Sequence, residues 1–249
     1  MTAPPSGPVG LVGDAGATVR DAVSALDREA VVGDPDAVLG AEPALVVARG
    51  ERALSALVAD GVPAPPVLAV DAGPGVPSVP DGDVAEALDR AVAGDADATA
   101  LPVLVASVDG TVRSHALFEW FLVTAEPAQI SEFSVRAGGS EVSRVRADGL
   151  VVATPAGSHG YAHRVDGPRV ARGTGVVAVV PVAPFTTDAD RWVVPAESVR
   201  LRVERDEAPV TLRADVRETG PVEAGQRVTI SPAGSLSLLT PPTRRSTDT

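Results

Sequence analysis

The chain has 249 residues, a formal net charge of −12 and a sequence pI of about 4.6. This acidity argues against nucleic acid or an anionic membrane surface as a partner. No cysteine is present, which excludes disulfides, thiolate metal sites and a cysteine nucleophile. All 21 basic residues are arginine, and with the acidic excess and the scarcity of aromatic residues this suggests a GC-rich, salt-adapted source.

Targeting signals are not expected in this sequence. No apolar run approaches the roughly 18 to 20 residues that span a bilayer. The first residues, MTAPPSGPVG, have neither a basic start nor an apolar segment, so they do not predict a secretion signal. We therefore expect a cytoplasmic protein.

The first part of the chain alternates short apolar runs with helical patterns. Strands are predicted at Val9–Val12, Ala30–Val32, Ala44–Ala48 and Val67–Val70. Helices are predicted at Ala17–Ala30, from Arg52 to about Ala59, and at Val84–Val92. This alternation is typical of parallel βαβ units, which place ligand loops at the carboxyl ends of the strands. The Gly- and Pro-rich loop Asp71–Asp83 is expected to be mobile or functional.

After a predicted linker at Gly94–Thr99, the pattern changes to short strands separated by turn signals. Asp109-Gly110 and Gly138-Gly139 lie between alternating runs and indicate hairpins. Strands are predicted at Leu101–Val108, Thr111–Val123, Ile130–Arg136, Glu141–Arg146, Leu150–Val152, Val176–Val182, Arg191–Val194, Ser198–Val203, Val210–Ala214 and Arg227–Ile230. The predicted fold is an α/β N-terminal domain with a parallel sheet (residues 1–97), an all-β C-terminal sandwich domain (98–240) and a disordered tail (241–249).

The segment from Ala147 to Pro168 is not typical of ordinary packing. Thr154-Pro155 opens a turn after a buried strand, because proline fixes its own φ and biases the preceding residue toward extended geometry. Gly157 and Gly160 then free the backbone for a close approach. The hydrogen-bonding residues crowded beside them are Ser158, His159 and Tyr161. Composition alone also allows a polar loop between two strands.

This segment resembles the signature of the NAD kinase family, in which Asp-Gly leads into T-P-x-G-S-x-x-Y and then a Gly-Pro pair. The matching residues are Asp148-Gly149, Thr154-Pro155, Gly157-Ser158, Tyr161 and Gly167-Pro168. The resemblance implies an α/β domain followed by a β-rich domain whose C-terminal segment returns to the first. It also implies an enzyme that phosphorylates the 2′-hydroxyl of the adenosine ribose of NAD, with this loop lying on the bound dinucleotide.

In the family, a G-G-D-G-T turn after a strand supplies a phosphate pocket and an aspartate that acts as general base. The corresponding place here is Arg49–Ala53, where only Gly50 matches directly. Glu51 is then the candidate catalytic base, with its carboxylate about one methylene further out. Arg52 replaces a glycine that lets phosphate approach the backbone. The alternative is that Glu51 and Arg52 only form the charged first turn of a helix.

The family also uses an Asn-Glu pair to bind the adenine end of the dinucleotide. Glu119 is present at that place, while Phe118 replaces the asparagine. A phenyl ring cannot donate the missing hydrogen bond, but it could stack on a base. The alternative for Phe118 and Trp120 is core packing. Asp71 stands where the family often has another asparagine.

Further binding residues follow from the same resemblance. Asp148 is expected to contact the nucleotide, the alternative being a turn-forming aspartate before glycine. Ala183 lies in a P-x-x-P stretch expected beside the ligand, and Asp215-Val216-Arg217 stands where many members have Asp-Gly-Gln. His159 and Arg146 are also candidate binding residues. The alternative is that His159 is a solvent-facing loop histidine and Arg146 an exposed strand arginine. The full predicted binding set is Gly50, Arg52, Phe118, Glu119, Arg146, Asp148, Thr154, Ser158, His159, Gly160, Tyr161, Arg164 and Ala183.

Two functions remain open at this point. One is a kinase that transfers phosphate from ATP, or polyphosphate, to NAD, with Glu51 as base and Mg²⁺ brought by ATP. The other is a weak or inactive paralogue that binds NAD(P) as a sensor or partner subunit. A lipid or sugar kinase does not fit the T-P-x-G-S-x-x-Y loop. No protein metal ligand is predicted, because no His and carboxylate cluster has zinc spacing, and Ser158 lies outside a nucleophile elbow. The family is commonly oligomeric, so a homo-oligomer is also considered.

Overall fold

The computed structural model describes residues 7–14, 16–126, 129–186, 189–206 and 208–240. The predicted disordered tail at 241–249 lies outside these residues. The chain divides into two compact units. The first contains the residues up to Leu57, Pro63–Leu101 and the chain from Leu236, and the second contains Val58–Val62 and Pro102–Ser235.

The first unit is built on a parallel sheet. Its strands are β1 (Val9–Val12), β2 (Ala30–Gly33), β3 (Leu45–Arg49) and β4 (Val67–Val70). They pair in the order β2-β1-β3-β4. β1 and β4 are buried along their whole length, as expected for parallel strands covered on both faces. The predicted α/β class is therefore confirmed.

Four helices accompany this sheet: α1 (Gly16–Ala25), α2 (Pro35–Gly40), α3 (Gly50–Leu57) and α4 (Val84–Ala93). Val19 and Val23 of α1 and Leu88 of α4 belong to the apolar core that covers the sheet. Helix α2 was not predicted, because Gly33-Asp34-Pro35 was interpreted only as the end of the preceding strand. Asp34 is instead the N-cap, accepting the Ala37 N–H at 2.9 Å, and proline occupies the first turn.

The remaining strands belong mainly to the second unit. They are β5 (Asp97–Val108), β6 (Thr111–Ala116), β7 (Glu119–Thr124), β8 (Ser131–Ala137), β9 (Ser140–Ala147), β10 (Gly149–Ala153), β11 (Val176–Val182), β12 (Trp192–Pro195), β13 (Val199–Arg205), β14 (Val210–Ala214), β15 (Arg217–Val222) and β16 (Arg227–Thr240). A short helix, α5 (Tyr161–Arg164), follows β10. The chain leaves the first unit within β5 and returns to it within β16, whose Leu238 pairs in parallel with Val67 of β4.

The second unit is a sandwich of two sheets. One contains β16-β13-β8-β9, with β5 beside β16 and β6 beside β5, and the other has the order β12-β11-β10-β7-β14-β15. Trp120, Leu122 and Leu212 of one sheet and Phe133 and Leu201 of the other are almost fully buried in a shared core. This confirms the predicted β sandwich. It also confirms the core-packing alternative for Trp120.

Several element boundaries predicted from Gly94 onward were wrong. The linker predicted at Gly94–Thr99 is strand from Asp97 onward. The single strand predicted at Thr111–Val123 is two strands, β6 and β7, interrupted at Leu117-Phe118. β15 was not predicted, and β16 runs on past Ile230. The interruption between β6 and β7 is the start of the candidate site in this unit.

Candidate functional site

In the first unit, the candidate base Glu51 stands where β3 ends and α3 begins. Gly50 adopts φ +79°, a left-handed conformation that glycine accepts without strain. Glu51 and Arg52 follow it in the first turn of α3, and both are exposed. The helix starts earlier than predicted, so these two residues do form a charged first turn. That position is also the carboxyl end of a parallel strand, where α/β folds bind ligands.

Arg49, the last residue of β3, forms ion pairs with two carboxylates of the same unit. Its Nη2 lies 3.4 Å from Asp71 Oδ2, and its Nη1 lies 3.1 Å from Asp81 Oδ1. Asp71 follows β4, so the guanidinium joins the ends of two neighbouring strands. From the sequence, Arg49 was considered only as part of the altered turn, and Asp81 was not identified.

In the second unit, Asp215 holds the interruption between β6 and β7. Its Oδ1 accepts the N–H groups of Phe118 at 2.8 Å and Glu119 at 2.9 Å, and its Oδ2 accepts that of Leu117 at 3.2 Å. Its own N–H donates to the Glu119 carbonyl at 2.8 Å. Three consecutive N–H groups at the break between the strands are thereby satisfied. Asp215 thus fixes the backbone that carries Glu119.

Arg217, two residues further on, holds the end of β6. Its Nη2 donates to the His115 carbonyl at 2.7 Å, and its Nη1 donates to Ser114 Oγ at 3.0 Å. Sequence reasoning gave Asp215-Val216-Arg217 little weight, because only the aspartate matched the family pattern. In the structure, Asp215 and Arg217 together position residues 114–119.

Thr154 supports the same interruption from its other side. Its Oγ1 donates to the Leu117 carbonyl at 2.7 Å and accepts the Gly157 N–H at 3.1 Å. Its backbone N–H donates to the Phe118 carbonyl at 2.8 Å. The side chain is fully buried. Thr154 therefore acts on the protein backbone, and a contact with the dinucleotide stays a prediction.

Gly157 makes the close approach that the sequence predicted, but toward the protein itself. A Cβ added at this position would overlap the Phe118 carbonyl oxygen. Gly160, in contrast, has φ −93°, and an added Cβ would lie 3.3 Å from the Gly157 carbonyl oxygen. Only Gly157 is required by packing against the 117–119 backbone.

Ser158 closes the same loop internally. Its Oγ donates to the Pro155 carbonyl at 2.8 Å and accepts the Val170 N–H at 2.9 Å, and the side chain is fully buried. The first bond lies within the Thr154 turn, and the second joins that turn to the segment after α5. As with Thr154, direct binding of the dinucleotide by this hydroxyl stays a prediction.

Tyr161, Glu119 and Asp148 lie close enough to influence one another. Burial raises the pKa of the Tyr161 phenol above its ordinary 10.0, and the charges of Glu119 and then Asp148 raise it further. The Tyr161 ring also lies 5.4 Å from that of Phe121, centroid to centroid. The carboxylates of two predicted binding residues thus act on the phenol of a third.

The single tyrosine of the chain makes this arrangement measurable. Titration of phenolate absorbance in the folded protein is expected to give a pKa above 10.0 for Tyr161. Because the folded-state pKa is raised, the phenol's contribution to stability is present below pH 10 and is lost as the pH rises through the folded-state value. Glu119→Gln should lower the midpoint more than Asp148→Asn. A midpoint unchanged in both variants would contradict this grouping.

The sequence of this chain is similar to those of known proteins. Residues 118–236 match the family profile of the ATP-NAD kinase C-terminal domain. The NAD kinase of Methanosarcina barkeri is 36% identical over 108 residues, which is 42% of this chain and 39% of that protein. The NAD kinase of Symbiobacterium thermophilum is 31% identical over 203 residues, which is 79% of this chain and 69% of that protein. The chain belongs to the NAD kinase family.

Solved structures share the fold of this NAD kinase family member. Yeast NADH kinase complexed with NADH superposes with a TM-score of 0.80 at 15% identity, covering 97% of this chain and 85% of that one. An NAD kinase from Archaeoglobus fulgidus in complex with ATP gives a TM-score of 0.77 at 21% identity, covering 94% of each chain. Sequence matches to the Methanosarcina relatives span less than half of those proteins.

Phe118 departs from the Asn-Glu pair of the NAD kinase family, and the structure favours packing as its role. Its side chain is only 9% exposed. An aromatic ring in that position has little face available to a base. Burial supports packing as the role of this ring, and stacking on the dinucleotide stays a prediction.

Arg146, Asp148 and Ala183 of the predicted set lie where the chain passes from β9 to β10 and where it leaves β11. The Asp148 N–H donates to the Val182 carbonyl and the Phe185 N–H to the Arg146 carbonyl, both at 2.9 Å. Between these bonds Ala183 has φ +44°, a strained conformation for alanine that is more common at functional sites than elsewhere. The Arg146 guanidinium lies 5.2 Å from the centre of the exposed Phe185 ring. Their binding roles stay predictions.

His159 and Arg164 lie in a basic part of the second unit. Partial burial lowers the pKa of His159 below its ordinary 6.5, and the charges of Arg169, Arg172 and His163 lower it further. The imidazole is therefore neutral near pH 7. Arg164 is the exposed last residue of α5. Their contact with a nucleotide also stays a prediction.

The described part of the chain has neither a cluster of metal ligands nor a membrane-spanning helix. Within residues 7–14, 16–126, 129–186, 189–206 and 208–240, no group of three or more His, Asp or Glu side chains could hold a metal ion. In the same part of the chain, no helix is long and apolar enough to cross a bilayer. Asp71 and Asp81 are already paired with Arg49, so a resident cation would have to displace this guanidinium.

Proposed function

We propose that this protein is an NAD kinase that transfers the terminal phosphate of ATP to the 2′-hydroxyl of the adenosine ribose of NAD. The observation that carries the proposal is the position of Glu51. This exposed carboxylate stands in the first turn of α3, directly after the parallel strand β3 and a glycine at φ +79°. Family membership supports taking this turn as the counterpart of the one that holds the general base in NAD kinases.

In the proposed reaction, the Glu51 carboxylate accepts the proton of the ribose 2′-hydroxyl. The hydroxyl oxygen then forms a bond to the γ-phosphorus, the bond from that phosphorus to the β,γ-bridging oxygen breaks, and ADP leaves. Mg²⁺ enters bound to ATP as part of the substrate and neutralises phosphate charge. Arg52, exposed beside Glu51, is proposed to meet a phosphate of ATP.

Binding of NAD is assigned to the second unit. The charges of Glu119 and Asp148 act on Tyr161, and Asp215 and Thr154 fix the backbone that carries Glu119. These carboxylates suit the hydroxyl groups of a ribose, since they accept hydrogen bonds. Two relatives of known structure were solved with NADH and with ATP, which supports both ligand classes for this chain.

The proposal is tested by a panel of donors and acceptors. ATP or inorganic polyphosphate is combined with NAD or NADH, and NADP or NADPH is quantified with an NADP-specific dehydrogenase. We expect ATP with NAD to give NADP. If product forms with polyphosphate and not with ATP, the phosphate donor in the proposal is wrong, but the phosphorylation of NAD stands. No product from any pair, together with NAD binding by calorimetry, would favour the inactive paralogue.

The cellular setting is proposed from composition. We expect a cytoplasmic homo-oligomer, and light scattering would give the number of subunits. We also expect the cell to have an acidic, salt-adapted proteome. The net charge of −12 and the absence of lysine support the last point. Poor solubility in molar salt would contradict it.

A further inference from the structure

The carboxylate of Glu51 lies directly against Gly73. A Cβ built on Gly73 would be 2.5 Å from Glu51 Oε1, 3.3 Å from its Cδ and 3.6 Å from its Cγ. Gly73 also has φ +81°, a conformation that side chains rarely adopt. The backbone angle therefore favours glycine, and a Cβ at this position would push the end of the Glu51 side chain aside.

Gly73 belongs to a loop, residues 71–79, that is held by its own hydrogen bonds. The Asp71 N–H donates to the Val79 carbonyl at 3.0 Å, and the Ala72 N–H donates to Ser78 Oγ at 3.2 Å. The Val76 N–H donates to the Gly73 carbonyl at 3.4 Å. The sequence predicted this region to be mobile or functional, and these bonds favour an ordered loop.

The same strand end fixes the loop and carries Glu51. Arg49, the last residue of β3, pairs with Asp71 of the loop and with Asp81 just after it. Glu51 follows Arg49 by two residues, and its side chain contacts Gly73 of the same loop. The two partners of this contact, Glu51 and the loop, are therefore both held in place next to Arg49.

A glutamate needs such support more than an aspartate does. It has one more rotatable bond, and an exposed glutamate side chain samples many rotamers. A general base must stay within hydrogen-bond reach of the proton that it accepts, and a displacement of about 1 Å can cost roughly a hundredfold in rate.

We propose that Gly73 is a positioning residue for Glu51, and that the 71–79 loop holds this longer carboxylate where the phosphoryl transfer needs it. The inference rests on the proposed function, in which Glu51 is the base. It explains how a glutamate replaces the aspartate of the family turn. The loop limits the additional freedom of the side chain by supplying a surface without a Cβ.

The test compares Gly73→Ala with Gly94→Ala. Gly94 has φ +80° at the end of α4 in the same unit, and a Cβ added there meets nothing within 4 Å. The two glycines have nearly the same φ, but only the substitution at Gly73 displaces Glu51. We expect Gly73→Ala to lower kcat by a factor of about 10 to 100, with KM for NAD within about twofold, and Gly94→Ala to leave kcat within about twofold.

A double-mutant cycle separates positioning from general damage. In a Glu51→Gln background, Gly73→Ala should cause no further loss of kcat. Ser78→Ala, which removes one bond of the loop, should act in the same direction as Gly73→Ala but more weakly. Equal losses in Gly73→Ala and Gly94→Ala, or an undiminished loss in the Glu51→Gln background, would overturn the proposal.

A stability measurement distinguishes failure of this inference from failure of the proposed function. Denaturant midpoints are measured for Gly73→Ala and Gly94→Ala, each in the wild-type background and in a Glu51→Ala background. If the contact holds, the excess loss in Gly73→Ala disappears when the Glu51 side chain is removed. An excess that persists overturns the contact, whether or not the wild-type protein makes NADP.

Discussion

Glu51→Gln is expected to lower kcat for NADP formation by a factor of about 10² to 10⁴, the range for loss of a general base. The amide has nearly the shape of the carboxylate, so the contact with Gly73 is kept. It cannot accept the proton of the ribose hydroxyl. The dissociation constant for NAD, measured by calorimetry, should stay within about twofold, because NAD binding is assigned to residues of the second unit.

A matched control for this substitution is Glu86→Gln. Glu86 lies on α4 in the same unit, half-exposed, and pairs with Arg90 at 3.1 Å one helical turn away. Loss of such a pair costs about 0.3 to 0.5 kcal/mol, so its kcat should match that of the wild type. If Glu51→Gln retains full activity, Glu51 is not the base, and the structural alternative of a charged helix turn is left.

Asp215→Ala is expected to destabilise the protein by about 3 kcal/mol or more and to abolish measurable NAD binding. Its carboxylate accepts three N–H bonds from residues 117–119. Hydrogen bonds to a charged group contribute about 1.5 to 3 kcal/mol each, and unsatisfied N–H groups add a penalty. The stability and NAD affinity of Asp215→Asn should lie between those of the wild type and of Asp215→Ala, since the amide oxygen can still accept the bonds now made to Oδ1. Denaturant unfolding and calorimetry give the two readouts.

Asp109→Ala separates the effect of the bonds from that of the backbone angle. Asp109 has φ +48°, close to the +53° of Asp215, and accepts one N–H, from Arg227 at 3.0 Å. Its substitution should cost about 1 kcal/mol and leave NAD binding unchanged. Equal losses for Asp109→Ala and Asp215→Ala would show that the turn conformation, and not the three bonds to residues 117–119, dominates.

Local patterns sufficed for the elements whose signals lie within one stretch of chain. The apolar runs of β1 and β4 predicted their bounds because every position in them is buried. The loop after β10 was recognised from a dense local motif. Thr154 was predicted as a ligand contact and Gly157 as a point of close backbone approach, whereas their observed hydrogen bonds and close approach are to the protein's own residues 117–118.

The features that the sequence analysis missed depend on residues distant in the chain. The break at Leu117-Phe118 lies inside an apolar alternation, and the aspartate that stabilises it is 98 positions away from Leu117. β16 contains Pro232 and Gly234, which normally predict the end of a strand. Gly73 gains its role from a carboxylate 22 positions earlier in the chain, which no local pattern in residues 71–79 reveals.

The central claim is best tested by following the phosphate itself. Wild-type protein is incubated with NAD and ATP labelled in the γ-phosphate, and the dinucleotide product is separated and reduced by an NADP-specific dehydrogenase. We predict one label in each molecule of NADP formed and an equal amount of ADP. A folded protein that binds NAD but leaves the label in ATP, or releases it only as inorganic phosphate, would contradict the claim.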